Sequence, residues 1–140
     1  MFWEKLPKPF FVLAPLANVT DAAFRRLIAR CGKPDVLWTE FVSADGLMSR
    51  GRDKLLPDLI FTPAERPIVA QLFSARPEVL EPAAKLVAAL GFDGLDLNMG
   101  CPDRQVEKQG AGAALMKNPT LARELIRAAR AGAGGLPVSV

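Results

Sequence analysis

In the stretch Gly94-Leu-Asp-Leu-Asn-Met-Gly-Cys-Pro-Asp103, an amide and a thiol stand three residues apart. Leu95, Leu97 and Met99 recur at the two-residue period of a β-strand, and Gly100 and Pro102 then break the run. Asn98 and Cys101 therefore fall at the strand's C-terminal end and just beyond it, where α/β folds gather their chemistry. The chain has no histidine and no tyrosine. Ser/His and Cys/His nucleophile pairs and the usual zinc sites are thus excluded within these residues, and a general acid must be Cys, Asp, Glu or Lys. Two other polar residues interrupt apolar runs. Glu40, near the end of Val36 to Val42, is a costly charge unless partnered, so it either serves or orients a functional group or reaches solvent. Gln71, within Arg66 to Phe73, must find hydrogen bonds, so it either ties down a neighbouring strand or faces a ligand.

The elements that must position these groups alternate in type. Phe10 to Ala14, between Pro9 and Pro15, reads as a strand buried on both faces. Asn18 to Asp21 supplies caps for a helix from Ala22 to Arg30, with Phe24, Leu27 and Ile28 on its buried face, Arg25, Arg26 and Arg30 in water, and Gly32 as its stop. Cys31 in its last turn reads as a small buried thiol. Val36 to Val42 is a second strand, with Trp38 assigned to the core, and Ser43 to Lys54 a short helix and loop. After the third strand, Pro77 opens a helix whose apolar face runs from Val79 to Leu90 and which Gly91 ends. Beyond the Asn98–Cys101 stretch, the small residues of Gly110 to Leu115 allow close backbone approach, and no dinucleotide or phosphate-loop fingerprint is present. Asn118-Pro-Thr120 starts another helix through Arg130, and Leu136 to Val140 begins a fifth strand.

Strands alternating with helices predict parallel βαβ units. A doubly wound open sheet fits that alternation as well as half of an eight-stranded TIM-type barrel does. The recurrence of Glu40, Gln71 and Asn98 at strand C-termini, without a Gly-rich first turn, favours the barrel.

At 140 residues, 50% hydrophobic and 24% charged, the chain has ordinary globular composition. Its net charge of +3 permits a nucleic-acid partner without demanding one. No run of about 18 apolar residues is present and the N-terminus is unlike a secretory signal, so a soluble cytoplasmic protein with no membrane partner and with Cys31 and Cys101 as free thiols is expected.

Ala14-Pro-Leu-Ala-Asn-Val-Thr-Asp21, Phe24-Arg25, Thr39-Glu40, Gln71-Leu-Phe73 and above all Leu97-Asn-Met-Gly-Cys-Pro102, with Gly110-Ala-Gly112 and Leu115, resemble the tRNA-dihydrouridine synthase family in order along the chain. The resemblance implies a TIM-barrel flavoenzyme that carries FMN, takes electrons from NADPH, needs no metal, and reduces the C5=C6 bond of uridines in tRNA. Cys101 would then be the proton donor and Asn98 the uracil-binding amide. Gln71 would meet the flavin's pyrimidine edge, Ala14, Pro15 and Leu16 would lie against its ring, and Glu40 would act in support. A thiol of ordinary pKa near 8.5 is mostly protonated at neutral pH, which suits a donor. The resemblance covers the first half of such a barrel, so residues 1–140 alone are expected to have weak or no activity. Enoate- or dihydroorotate-type FMN enzymes, or a non-catalytic fragment, are the rival readings.

Overall fold

A computed structural model describes residues 2–140. Its centre is a five-stranded sheet, wholly parallel, in the order β1 (Val12–Leu13), β2 (Val36–Ser43), β3 (Ile68–Phe73), β4 (Gly94–Leu97) and β5 (Val138–Ser139). Each strand pairs with its neighbour in sequence. A doubly wound sheet reverses its order at a switch point, whereas this wall adds strands in one direction only, as a (β/α) barrel does. The order therefore decides between the two architectures that the alternation allows: the chain is α/β, with the wall of a partial TIM barrel.

The crossovers carry α1 (Ala22–Gly32), the short α2 (Ala44–Leu47) and α3 (Arg52–Leu55), α4 (Pro77–Ala89), α5 (Arg104–Lys108) and α6 (Pro119–Gly132). Local chemistry fixes several starts. Asp21 Oδ1 accepts from Phe24 N at 2.7 Å, Asp103 Oδ1 from Gln105 N at 2.8 Å, and Asn118 Oδ1 from Leu121 N at 3.1 Å, each satisfying a first-turn amide. Strand alternation splits the apolar residues between two faces. Leu37, Ile68, Ala70, Leu72, Leu95 and Leu97 pack outward against Leu80, Ala83, Ala84 and Val87 of α4 and Leu125 and Ala129 of α6. On the inner face Val36, Trp38 and Val69 meet Phe2, Trp3 and Leu6, with the Trp3 and Trp38 ring centres 5.7 Å apart. Trp38 is a core residue, closing the floor of the inner face.

Four expectations are corrected. The first strand is only two residues long, and Phe11 and Val12 are exposed rather than buried on both faces, because β1 has a single sheet neighbour, β2. Arg25 does not stay in water but is fully buried, paired with Glu65. Leu27 is exposed, since α1 turns Arg25 and not Leu27 inward. Cys31 is an exposed free thiol, because it lies with exposed Arg30 and Gly32 in a last turn of α1 that faces solvent. Among the described residues no helix is long and apolar enough to cross a membrane.

Candidate active site

A cavity of about 440 Å³ opens at the C-terminal ends of the strands. Pro15, Leu16 and Ala17, from the loop after β1, form one wall; Phe41, Gln71, Asp96 and Asn98 form the base, and Met99, Gly100 and Cys101 the opposite rim. Gln71, Asp96 and Asn98 share one face because Asp96 on β4 and Asn98 just past its end stand two apart, and Gln71 on β3 pairs in register with Asp96. All three are buried in the sense that decides hydrogen bonding, at 7–8% exposure.

Their partners form a directed series. Ser139 Oγ donates to Asp96 Oδ1 at 2.5 Å, and Gln71 Nε2 donates to Asp96 Oδ2 at 2.5 Å. Asn98 Nδ2 donates to Gln71 Oε1 at 3.3 Å, while Asn98 Oδ1 accepts from Gly100 N at 3.3 Å and Cys101 N at 3.0 Å. Gln71 thus ties down a neighbouring strand, β4, through Asp96, and it also lines the cavity. Cys101 is half-buried on the rim. Asp96 went unnoticed in the sequence, although its parity with Asn98, opposite to Leu95 and Leu97, marked it as facing inward.

The Cys101 turn is braced from below. Ala113 N donates to Cys101 O at 2.9 Å, and Gly112 approaches so closely, at φ +60°, that a Cβ there would lie 2.6 Å from Cys101 O and 2.8 Å from Val106 Cγ1. Both the left-handed backbone and the contact exclude a side chain. Gly112→Ala is expected to cost about 2–5 kcal/mol of stability, the sum of a left-handed residue and an overpacked contact, measured as a shift in denaturant midpoint. A shift below a quarter of that would show that the turn yields freely.

Ala14 and Glu40 are not among the lining residues. The register of β2 against β3 slips between Trp38 and Phe41, a bulge that returns Phe41 to the inner face opposite Gln71. Glu40, within that bulge, lies beside the loop after β1. Its Oε1 is buried and accepts no hydrogen bond from the described residues. Burial first, then the charges of Asp58 and Asp21, push its carboxyl above the ordinary range, while the backbone amides of Val19 and Asn18 pull it partly back. Asp58 is likewise raised, chiefly by burial, against the pull of Arg25. A carboxyl with a higher pKa folded than unfolded favours the fold when protonated, a contribution complete below the unfolded value and lost as pH rises through the folded one. Glu40→Gln is therefore expected to gain stability relative to the parent between pH 4 and pH 7, read from urea midpoints; a difference that does not change with pH would refute the assignment.

A larger cleft of about 610 Å³, between Leu56, Leu59, Ile60, Phe61 and Leu90, has Asp53 as the only polar side chain in its lining and no converging groups. Polar groups converge instead at the strand ends, where a barrel wall carries two amides, a carboxylate and a thiol around one concavity. That places a candidate active site at the strand ends, where (β/α) barrels carry theirs.

The chain belongs to the dihydrouridine synthase family, whose model matches residues 12–140. It is 47% identical to "Probable tRNA-dihydrouridine synthase 2" of Bacillus subtilis (strain 168), over 99% of this chain and 42% of that protein. It is 42% identical to "Probable tRNA-dihydrouridine synthase" of Staphylococcus aureus (strain COL), with the same coverage of both. The chain thus spans 42% of the length of these curated relatives.

Proposed function

We propose that residues 1–140 supply the N-terminal part of a flavin-binding catalytic barrel in a cytoplasmic tRNA-dihydrouridine synthase. The observation that carries this reading is the convergence of Gln71, Asn98 and Cys101 on one cavity walled by Pro15 and Leu16, in a chain of this family. The cavity suits FMN. Pro15, Leu16 and Ala17 offer an apolar wall for a flat ring, and Ala14 links them to the end of β1. Gln71 keeps one N–H and one oxygen lone pair uncommitted to described residues, the pair that an imide edge requires.

FMN, when bound and reduced by NADPH, supplies the hydride that adds to C6 of the uracil ring. The residues of this chain do the rest. Asn98 holds the base through its remaining amide N–H, and Gln71 orients the flavin's pyrimidine edge. Cys101 Sγ–H gives its proton to C5 from the face opposite the flavin, so the double bond gains two hydrogens, and the thiolate recovers its proton from solvent. Glu40 supports the loop that carries Pro15 and Leu16. The tRNA is held through phosphate and shape, with the target uridine turned out of its stack.

The test is to incubate the intact protein with FMN, NADPH and unmodified tRNA, with dihydroorotate-type and enoate substrates in parallel, and to follow product by mass. Uridines in the tRNA are expected to gain two hydrogens while the small substrates are untouched. Reduction of the small enones alone would place the protein with the other FMN-dependent barrel oxidoreductases.

A further inference from the structure

Asp96 has no part in the proton and base-binding roles above, yet both its oxygens are engaged at the bottom of the cavity. Oδ2 accepts from Gln71 Nε2 at 2.5 Å and Oδ1 from Ser139 Oγ at 2.5 Å. A carboxylate only accepts hydrogen bonds, whereas an amide side chain can present either end to a neighbour. The Asp96 carboxylate therefore forces the NH₂ of Gln71 toward itself, leaving Gln71 Oε1 to face Asn98. Gln71 Oε1 in turn demands the NH₂ of Asn98, and Asn98 Oδ1 is left to collect the Gly100 and Cys101 amides. Reversing Gln71 alone would set its carbonyl against the carboxylate and its NH₂ against that of Asn98, so the two amides turn together or not at all.

We propose that Asp96 is the positioning residue that fixes the polarity of the Gln71 and Asn98 amides, and so makes the cavity selective for a ring edge carrying an imide N–H beside a carbonyl. The selectivity rests on the assignment of Gln71 to the flavin; the amide polarity does not. With its NH₂ anchored on Asp96, Gln71 offers its remaining oxygen lone pair to an N–H and its remaining N–H to a carbonyl, in an order that cannot invert. An asparagine at position 96 both donates and accepts, so Gln71 is released to turn.

Two measurements on the intact protein test this. In side-chain amide NMR without ligand, a Gln71 Nε2 proton is expected far downfield and slow to exchange in the parent, and both properties are expected to vanish in Asp96→Asn. A parent signal that sits with freely rotating glutamines would overturn the proposal without any variant, so it stays testable even if Asp96→Asn does not fold. In flavin titrations the parent is expected to bind FMN at least tenfold more tightly than N3-methyl-FMN. Asp96→Asn is expected to lose about 30-fold in FMN affinity, the worth of two ordinary hydrogen bonds, and to bind both flavins alike. Retained discrimination in Asp96→Asn would overturn the inferred selectivity. If the parent shows the expected amide signals yet binds no FMN, the flavin reading and the selectivity fall together, while the fixing of the amides by Asp96 stands.

Discussion

Cys101→Ala, made in the intact protein, is expected to keep FMN binding and flavin reduction by NADPH while uridine reduction in tRNA falls by about 100-fold or more. The size follows from the usual worth of a positioned general acid, roughly 10²–10⁴ in rate. The selectivity of the defect follows from where the residue sits. Cys101 is on the rim formed by the turn after β4, and its backbone, not its sulfur, carries the structural bonds: its N–H to Asn98 Oδ1 and its carbonyl to Ala113 N. Removing Sγ leaves both in place, so Asn98 and Gln71 keep their orientation. The loss is expected in kcat, with KM for tRNA little changed, because the proton matters in the transition state and not in binding. Cys101→Ser retains a donor of similar shape but far weaker acidity and is expected to fall between the two. Turnover by Cys101→Ala equal to the parent's would remove the thiol from its role.

The rim of this site and the Gln71 and Asn98 amides of its base were legible in the sequence because the signals are local, whereas Phe41 and Asp96, also in the base, were not singled out. Alternation over Leu95 to Met99 sets which side chains share a face, and Gly100 and Pro102 end the strand within three residues, so Asn98 and Cys101 could be placed without knowing any partner. The alternation of strands and helices was legible for the same reason. The alternation alone did not give the strand order, because barrel and doubly wound sheets share that local pattern; polar residues at successive strand C-termini, without a Gly-rich first turn, were what favoured the barrel that the order β1-β2-β3-β4-β5 shows. The inward turn of Arg25 was equally hidden: on α1 it reads as one of three solvent-facing arginines, and the residue that reverses this, Glu65, is 40 positions away. The tendency of free cysteines to be buried points Cys31 inward, whereas its exposure depends on what packs against the last turn of α1, where Arg30 and Gly32 are exposed too. Local periodicity determines faces; burial of a charge or a thiol depends on long-range partners that periodicity does not encode.

Arg25→Met is expected to destabilise the protein by about 3–5 kcal/mol in denaturant unfolding, the cost of leaving a buried ionic partner uncompensated. Arg25 is fully buried and uses each guanidinium nitrogen: Nε to Glu65 Oε2 at 2.9 Å, Nη1 to Thr20 O at 2.7 Å and Nη2 to Ile60 O at 2.6 Å. Glu65 is equally buried, and its Oε1 takes Thr62 N at 2.7 Å and Thr62 Oγ1 at 2.9 Å. Exposed Arg26, 3.7 Å from Oε1, is too solvated to replace Arg25. Glu65→Gln is expected to cost less, since Arg25 keeps both carbonyls and the glutamine oxygen can still receive Thr62. In the double variant the costs are expected to sum to less than the two singles, because neither buried charge remains to be stranded. The effect reaches the site through Thr20, whose Oγ1 accepts from Leu16 N at 3.0 Å and donates to Leu16 O at 3.2 Å, fixing the wall that Leu16 presents to the cavity. Arg25→Met is therefore also expected to weaken FMN binding, whereas Cys101→Ala does not. A cost below about 1 kcal/mol would mean that water reaches Glu65 once the guanidinium is gone, and that the ion pair does not hold the loop.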